Sequence, residues 1–173
     1  GLRVGEGAGR DSSSSSRSRF MITAKQIKSL RDRTGISIAE CKRALEESGG
    51  EETKARAWLK AAGERLASKK ATRTLGAGAV SAYIHSTGTL GALVELQSET
   101  DFVAKNKDFR LLADDLAMHI AALAPADVAE FLAQPFVKDP GQTVGEIIKS
   151  AIQKFGERIE IGAWHRLDAR ADT

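Results

Sequence analysis

The chain has 173 residues, 42% hydrophobic and 28% charged, which suits a globular protein of one medium domain or two small ones. A net charge of +3 is too small to demand a nucleic-acid partner by itself. The single cysteine, Cys41, excludes an internal disulfide and fits a reducing compartment such as the cytoplasm. No apolar run approaches the roughly 20 residues that span a bilayer.

The first 20 residues form an extension without apolar periodicity. They are rich in Gly, Ser and Arg, so we expect this segment to be disordered without a partner and dispensable. Met21 is the natural start of the patterned chain. Enrichment in Arg and Ser also suits a cleaved transit peptide, but Glu6 and Asp11 weigh against that interpretation.

Residues 21–63 are predicted to form three short helices. Two capping boxes, Thr23 with Gln26 and Ser37 with Glu40, indicate where the first two helices begin. The third helix has an apolar stripe at the spacing i, i+3, i+4, i+7, made of Ala55, Trp58, Leu59 and Ala62. Such a bundle is similar to the ubiquitin-associated fold. Cys41 is interpreted as a small buried hydrophobe rather than a reactive thiol.

Residues 64–78 are predicted to be a short fourth helix followed by a linker. Gly76 and Gly78 are the expected breakers, and a basic run ending at Arg73 precedes them. A basic run of this kind is usually a solvated face. Contact with an acidic surface of a partner is the alternative.

A second module is expected over residues 79–168, with a tail at 169–173. It opens with a hairpin, because alternation over Val80–His85, turn residues at 86–89 and a second alternating run over Leu90–Gln97 predict two antiparallel strands. The expected faces are Val80, Ala82 and Ile84 against Ser81, Tyr83 and His85, then Ala92, Val94 and Leu96 against Leu93, Glu95 and Gln97.

Helices and a third strand should cover this hairpin. An amphipathic helix is predicted over Asp108–Leu123, with His119 beside its apolar stripe as a satisfied core-edge histidine. A short helix over Asp127–Val137 with Val128, Phe131 and Leu132 inward, a turn at Asp139–Gly141 and a last helix from Thr143 to Gly156 follow. The final strand should alternate, with Ile159, Ile161, Ala163, His165 and Leu167 on one face. The predicted fold class is α+β, a helical bundle followed by an antiparallel three-stranded sheet packed with helices.

The junction between the second strand and the long helix is the segment Thr100–Asn106. An acid followed by a large aromatic, Asp101 and Phe102, is unusual at such a place. One interpretation is structural: Asp101 caps the following helix and Phe102 tucks under it. The other is that a rigid turn presents both side chains to a partner.

The run Ser98–Asn106 resembles the signature of elongation factor Ts, the guanine-nucleotide exchange factor for the translational GTPase elongation factor Tu. Further segments are similar to the same family, namely Leu30–Gly35, Cys41–Leu45, Gln134–Val137 and Thr143–Glu146. The likeness runs from Met21 to about Asp168.

The resemblance implies a partner, elongation factor Tu, preferably in its nucleotide-free form, with no direct nucleic-acid or membrane contact. In the family, Phe102 would wedge between helices of the GTPase and Asp101 would help displace the elements that hold Mg²⁺. The residues implied to bind the partner are Thr100, Asp101, Phe102, Val103, Lys105 and Asn106, with Arg31, Ile38 and Ala39 as a second contact. No catalytic residue, metal or cofactor is implied.

The chain also departs from part of the family. Long members have two related core modules and a protruding helical hairpin, whereas this chain has room for one core module and resembles the short form. Short forms are known to pair, in some cases through a cysteine of the last strand. This chain has His165 in that region, so a covalent dimer is not expected and a non-covalent homodimer in the complex is left open.

Two other classes of function were weighed. A ribosome- or RNA-associated binding module is suggested by the basic linker, but only Tyr83 and Trp164 offer aromatics on the strands. An enzyme is the third possibility. Against it, no phosphate-binding glycine loop, no nucleophile-base set and no metal-ligand spacing among His85, His119 and His165 occurs.

Overall fold

The structure is a computed structural model that describes residues 21–169. The predictions for residues 1–20, and all but the first residue of the predicted tail 169–173, therefore lie outside the described residues. The described elements are, in chain order, α1 (Ala24–Thr34), α2 (Ile38–Glu47), α3 (Glu52–Lys70), β1 (Ala77–Ile84), β2 (Leu90–Ser98), α4 (Asp101–Ala104), α5 (Lys107–Leu123), α6 (Val128–Ala133), β3 (Pro135–Phe136), β4 (Asp139–Thr143), α7 (Val144–Phe155) and β5 (Ile159–Asp168). Within this range no helix is both long enough and apolar enough to cross a membrane.

The first three helices enclose their own hydrophobic cluster. The predicted capping box at Thr23 and Gln26 is present in full, and Gly35 ends α1 in the left-handed conformation. The cluster consists of Leu30, Ile36, Cys41, Ala44, Leu45, Ala55 and Leu59. Cys41 is fully buried, which confirms its structural interpretation, and burial raises the pKa of its thiol.

The prediction of a separate fourth helix is wrong, because α3 is one helix of 19 residues. Gly63, at its middle, does not break the helix. It is buried against α7, and a Cβ placed there would lie 3.0 Å from Oε1 of Gln153. Gly78, predicted as a breaker of the linker, lies within β1. The predicted domain boundary at residue 63 thus falls inside a continuous helix.

The sheet of the second module confirms the predicted α+β class. Its order is β1-β2-β5 and both pairings are antiparallel. Helices α5 and α7 cover one face with apolar side chains, and Ala92, Val94 and Leu96 of β2 point into this core as predicted. On β1, however, the inward positions are Ala77, Ala79, Ser81 and Tyr83.

The predicted alternation of β5 is correct only in part. The register of β5 on β2 shifts between Val94 and Leu96, whose partners are Trp164 and Ile161. The extra residue at this bulge exchanges the faces. Ile159 and Ile161 therefore point inward with Trp164, whereas the predicted partners on their face, Ala163, His165 and Leu167, are exposed.

The uncovered side of the sheet carries several exposed apolar side chains. Val80, Ile84, Leu93 and Leu167 are its exposed large residues, and we call this set the outer sheet face. The register places them close together, since Ile84 and Leu167 both pair with Gly91 and His165 pairs with Leu93.

The segment around α6 differs from the prediction. The helix ends at Ala133 rather than Val137, and the predicted turn at Asp139–Gly141 lies within β4, which pairs with β3. Val128, predicted inward, is exposed, and Phe131 is buried.

This arrangement encloses His119. Its ring stacks between the rings of Phe131 and Phe136, 5.4 and 5.9 Å away. Nδ1 accepts from the N–H of Val137 at 3.2 Å, so the proton is on Nε2, which donates to Gln134 Oε1 at 2.9 Å. The histidine is satisfied, as predicted, although it lies fully inside the core.

Candidate partner-binding site

The junction predicted to carry function is a single turn of helix, α4, between β2 and α5. Thr100 is its N-cap, and the Thr100 hydroxyl accepts from the N–H of Val103 at 3.4 Å. Asn106 is the N-cap of α5, and its side chain accepts from the N–H of Asp108 at 2.8 Å. The interpretation in which Asp101 caps the following helix is therefore wrong.

Phe102 projects into solvent, with 83% of its surface exposed. The next two residues, Val103 and Ala104, are buried in the core. The turn is thus anchored by its second half, while its first half carries the aromatic ring outward. Phe102 does not tuck under the helix, which removes the structural interpretation of this residue.

The side chain of Asp101 is also accessible at the surface. Its carboxylate lies 3.2 Å from Nζ of Lys105, one helical turn on, and both side chains are largely exposed. An exposed pair of this kind contributes little to stability. Both charges are therefore accessible on the same turn as Phe102.

The turn is held by residues that lie just before β5. Glu157 Oε2 accepts from the N–H groups of Glu99 and Thr100, both at 3.1 Å, and Oε1 accepts from the Thr100 hydroxyl at 2.6 Å. In return Glu99 Oε1 accepts from the N–H of Arg158 at 2.6 Å. We call these reciprocal bonds the Glu157 clasp. The backbone bond from Arg158 is the main cause of a lowered pKa of Glu99.

The basic run before β1 also contacts the residues of the Glu157 clasp. Nη1 of Arg73 lies 3.3 Å from Oε2 of Glu99, and the Arg158 guanidinium donates to the carbonyl of Arg73. Lys70 is buried. The prediction of a solvated basic face is therefore wrong for Lys70, whereas Arg73 stays half exposed although it is paired with Glu99.

Glu157 and Arg158 were missed in the sequence because their partners are almost 60 residues away. One signal could have found them: β2 and β5 are antiparallel neighbours, with Ser98 opposite Ile159. Residues just before β5 must therefore lie beside residues just after β2.

The second predicted contact, on the helical bundle, is exposed. Arg31 and Ala39 lie on the surface, and Ile38 is 56% exposed. Gly35 lies between them in sequence, and a Cβ built on it would contact Cδ of Lys154 at 3.6 Å.

One lysine side chain lies near both this end of the bundle and the start of α5. Nζ of Lys154 lies 2.6 Å from Oδ2 of Asp108, at the start of α5. The loop between α1 and α2 and the segment at Asn106 are thus within the span of Lys154.

The nine predicted contact residues differ in accessibility. The side chains of Asp101, Phe102 and Lys105 are exposed, and Thr100 is exposed but engaged in the clasp. Val103 is buried and Asn106 is a half-buried cap, so these two build the turn. Their contact with a partner stays a prediction.

Other surfaces offer less for a ligand. A groove of about 330 Å³ lies between α3 and α7, but its lysines already face acids, with Lys60 on Glu146 and Lys149 on Glu64. Tyr83 and Trp164 are half-buried against the core. They do not form the exposed stacking platform that an RNA-binding sheet uses.

Comparison with known proteins agrees with this picture. The family model "Elongation factor TS" matches residues 99–173. The elongation factor Ts of Acetivibrio thermocellus is 36% identical, over 86% of this chain and 90% of its own length. Those of Desulforamulus reducens and Rubrobacter xylanophilus are 37% and 35% identical, over 85% and 83% of this chain and 88% and 97% of their own lengths. The chain therefore belongs to the elongation factor Ts family of translation elongation factors.

Proposed function

We propose that this protein is a guanine-nucleotide exchange factor, which binds elongation factor Tu in the cytoplasm and promotes release of GDP. The observation that carries the proposal is Phe102, a large aromatic held in water on a clasped turn. The fold gains nothing from that exposure. Burial of such a ring in a partner is worth about 1.5–3 kcal/mol.

The turn is prepared for binding before the partner arrives. Val103 and Ala104 are packed in the core, the Thr100 cap is made, and the Glu157 clasp is closed. A preorganised anchor loses little conformational entropy on docking. This is what an aromatic wedge requires if it is to enter a packed interface and displace the partner's own side chains.

The charges beside the ring suit the nucleotide site. GTPases hold GDP largely through its phosphates and Mg²⁺. In our proposal Phe102 enters between helices of the GTPase, and the carboxylate of Asp101 disturbs the elements that hold Mg²⁺. The grip on the phosphates then loosens and GDP leaves.

Release of the factor follows from thermodynamic linkage. If binding of this protein lowers the affinity of elongation factor Tu for GDP by some factor, binding of GDP lowers the affinity of elongation factor Tu for this protein by the same factor. Rebinding of GTP therefore expels the factor, and one molecule acts many times. This activity needs no nucleophile, metal or cofactor on the chain.

The bundle supplies the second contact in this proposal. Ile38 is an exposed apolar side chain at the start of α2, and Arg31 offers a charge beside it. Lys154 lies beside Gly35 of the bundle and is paired with Asp108 at the start of α5. We expect the two regions to engage one GTPase molecule together.

The test is the release of labelled GDP from purified elongation factor Tu. A substoichiometric amount of the protein should accelerate release by a large factor, and excess unlabelled GDP should dissociate the complex. The same assay on a GTPase outside translation is the control and should show no acceleration. Unchanged release from elongation factor Tu would refute the proposal.

A second proposal concerns a non-covalent homodimer, formed through the outer sheet face. Four exposed apolar side chains on adjacent strands form a contiguous patch, which usually marks an interaction site. A twofold axis through the sheet would pair this patch with itself. Sedimentation should show a dimer that Leu93→Glu dissociates and Leu123→Glu, on α5, does not. A monomeric wild-type protein at high concentration would exclude the dimer.

A further inference from the structure

We infer that Glu157 is a positioning residue for Asp101 and Phe102. The inference rests on the proposed function, since it assigns Glu157 a role in exchange that acts through the turn. Glu157 would itself touch neither nucleotide nor GTPase. Its role is to select, in the free protein, the one arrangement of the turn that fits the partner.

The first argument is the length of α4. A helix of four residues forms a single turn, and nucleation of so short a helix is unfavourable without outside support. The buried side chains of Val103 and Ala104 fix the second half of the turn. Its first half, which carries Asp101 and Phe102, has no core contact of comparable extent, so its support must come from hydrogen bonds.

The second argument is the position of the Thr100 hydroxyl. It donates to Glu157 Oε1 at 2.6 Å and accepts from the N–H of Val103 at 3.4 Å. The carboxylate therefore orients the very side chain that caps α4. Removal of the carboxylate frees the Thr100 side chain to rotate, and the cap is lost with it.

The third argument is the direction of the bonds. Two consecutive N–H groups, of Glu99 and Thr100, converge on one oxygen of Glu157. Bonds to a carboxylate are about twice as strong as bonds between neutral groups. The reciprocal bond from Arg158 to Glu99 closes the clasp from the other side. The direction in which the chain leaves β2 is thus set by the two residues that precede β5.

The expected consequence is a change in the population of competent turns. When only a fraction of molecules has the competent turn, the apparent affinity falls to that fraction of its intrinsic value, while the fully bound complex behaves normally. We therefore expect Glu157→Ala to raise the concentration for half-maximal GDP release by about tenfold or more, a change of about 1.4 kcal/mol per tenfold. The maximal rate at saturation should be nearly unchanged.

Four variants test this inference. Glu157→Ala removes the clasp, and Glu157→Gln retains an oxygen acceptor for the two N–H groups, so it should lose less. Glu46→Ala is the matched control, because it removes an exposed carboxylate whose partner is Lys42 on the same helix. Glu157→Ala combined with Phe102→Ala should be little worse than Phe102→Ala alone, because both changes act through the same ring.

A second measurement does not depend on the proposed function. Amide hydrogen exchange of the free protein should accelerate by about tenfold or more at Glu99, Thr100 and Val103 in Glu157→Ala, since their acceptors are lost or loosened. Amides in the β2–β5 ladder should keep their protection. If the wild-type protein fails to accelerate GDP release from elongation factor Tu but these amides exchange faster in Glu157→Ala, the proposed function fails and the positioning of the turn stands.

Three outcomes would overturn the inference. The first is unchanged amide exchange at Thr100 and Val103 in Glu157→Ala. The second is a full additive loss in the double variant with Phe102→Ala. The third is a lowered maximal rate with unchanged half-saturation, which would mean that Glu157 acts inside the bound complex rather than before it.

Discussion

Replacement of two phenylalanines seven residues apart should have opposite effects. Phe102 is 83% exposed, so Phe102→Ala removes little buried area, and the free energy of unfolding should change by no more than about 0.5 kcal/mol. Phe109 is fully buried and meets the ring of Phe155 edge-on at 5.9 Å. Phe109→Ala should cost about 3–5 kcal/mol of stability.

The effects on exchange should be reversed. Loss of a buried anchor at an interface commonly costs about 2 kcal/mol or more. At about 1.4 kcal/mol per tenfold, Phe102→Ala should weaken binding to elongation factor Tu by roughly thirtyfold or more. Phe109→Ala should retain normal exchange per folded molecule, because its ring lies under α5 and contributes nothing to the surface.

Urea denaturation and labelled GDP release on the same preparations measure both quantities. Exchange is normalised to the folded fraction, so that instability is not mistaken for lost contact. The reasoning is refuted if Phe102→Ala loses several kcal/mol of stability, or if its exchange per folded molecule equals that of the wild type.

Two further predictions concern stability. Burial lowers the pKa of His119 below its ordinary value of 6.5, so as pH falls the unfolded chain gains a proton there before the folded protein does. The contribution of neutral His119 to stability should therefore be fully present above pH 6.5 and be lost as pH falls through that value towards 5. Urea denaturation at several pH values should show that the free energy of unfolding falls less steeply with pH in His119→Asn than in the wild type. An equal dependence on pH in the two proteins would contradict the assignment. A Cβ on Gly78 would lie 2.8 Å from the carbonyl oxygen of Leu96, so Gly78→Ala should cost about 1–3 kcal/mol in the same assay, and a change below about 0.5 kcal/mol would contradict that contact.

Features determined by near neighbours were predictable from the sequence. The capping box at Thr23 depends on a side chain three residues away, and the left-handed end at Gly35 depends on a missing Cβ. The hairpin of β1 and β2 depends on alternation and a short turn. All of these were correct because their causes are local.

Features determined by distant contacts were not predictable in the same way. Gly63 reads as a helix breaker until α7 is placed against it. The bulge in β5 shifts three side chains to the opposite face, and nothing in the alternating pattern marks it. The position of the turn at Phe102 was predicted, but the Glu157 clasp that holds it was not, because the clasp exists only once β5 lies beside β2.

The continuity of α3 affects how the two proposed contacts, at Phe102 and at Ile38, combine in binding one partner. A helix of 19 residues is about 28 Å long and connects the bundle with the core without a loop. At its middle, Gln153 donates from α7 to the carbonyl of Leu59 and to Glu40, so the bundle cannot swing on a tether. In the proposed complex, once Phe102 is seated in the partner, the Ile38 end should meet the same molecule at a high effective concentration, with no loop entropy to lose. A contact too weak to be detected on the isolated bundle can then multiply the affinity of the whole protein.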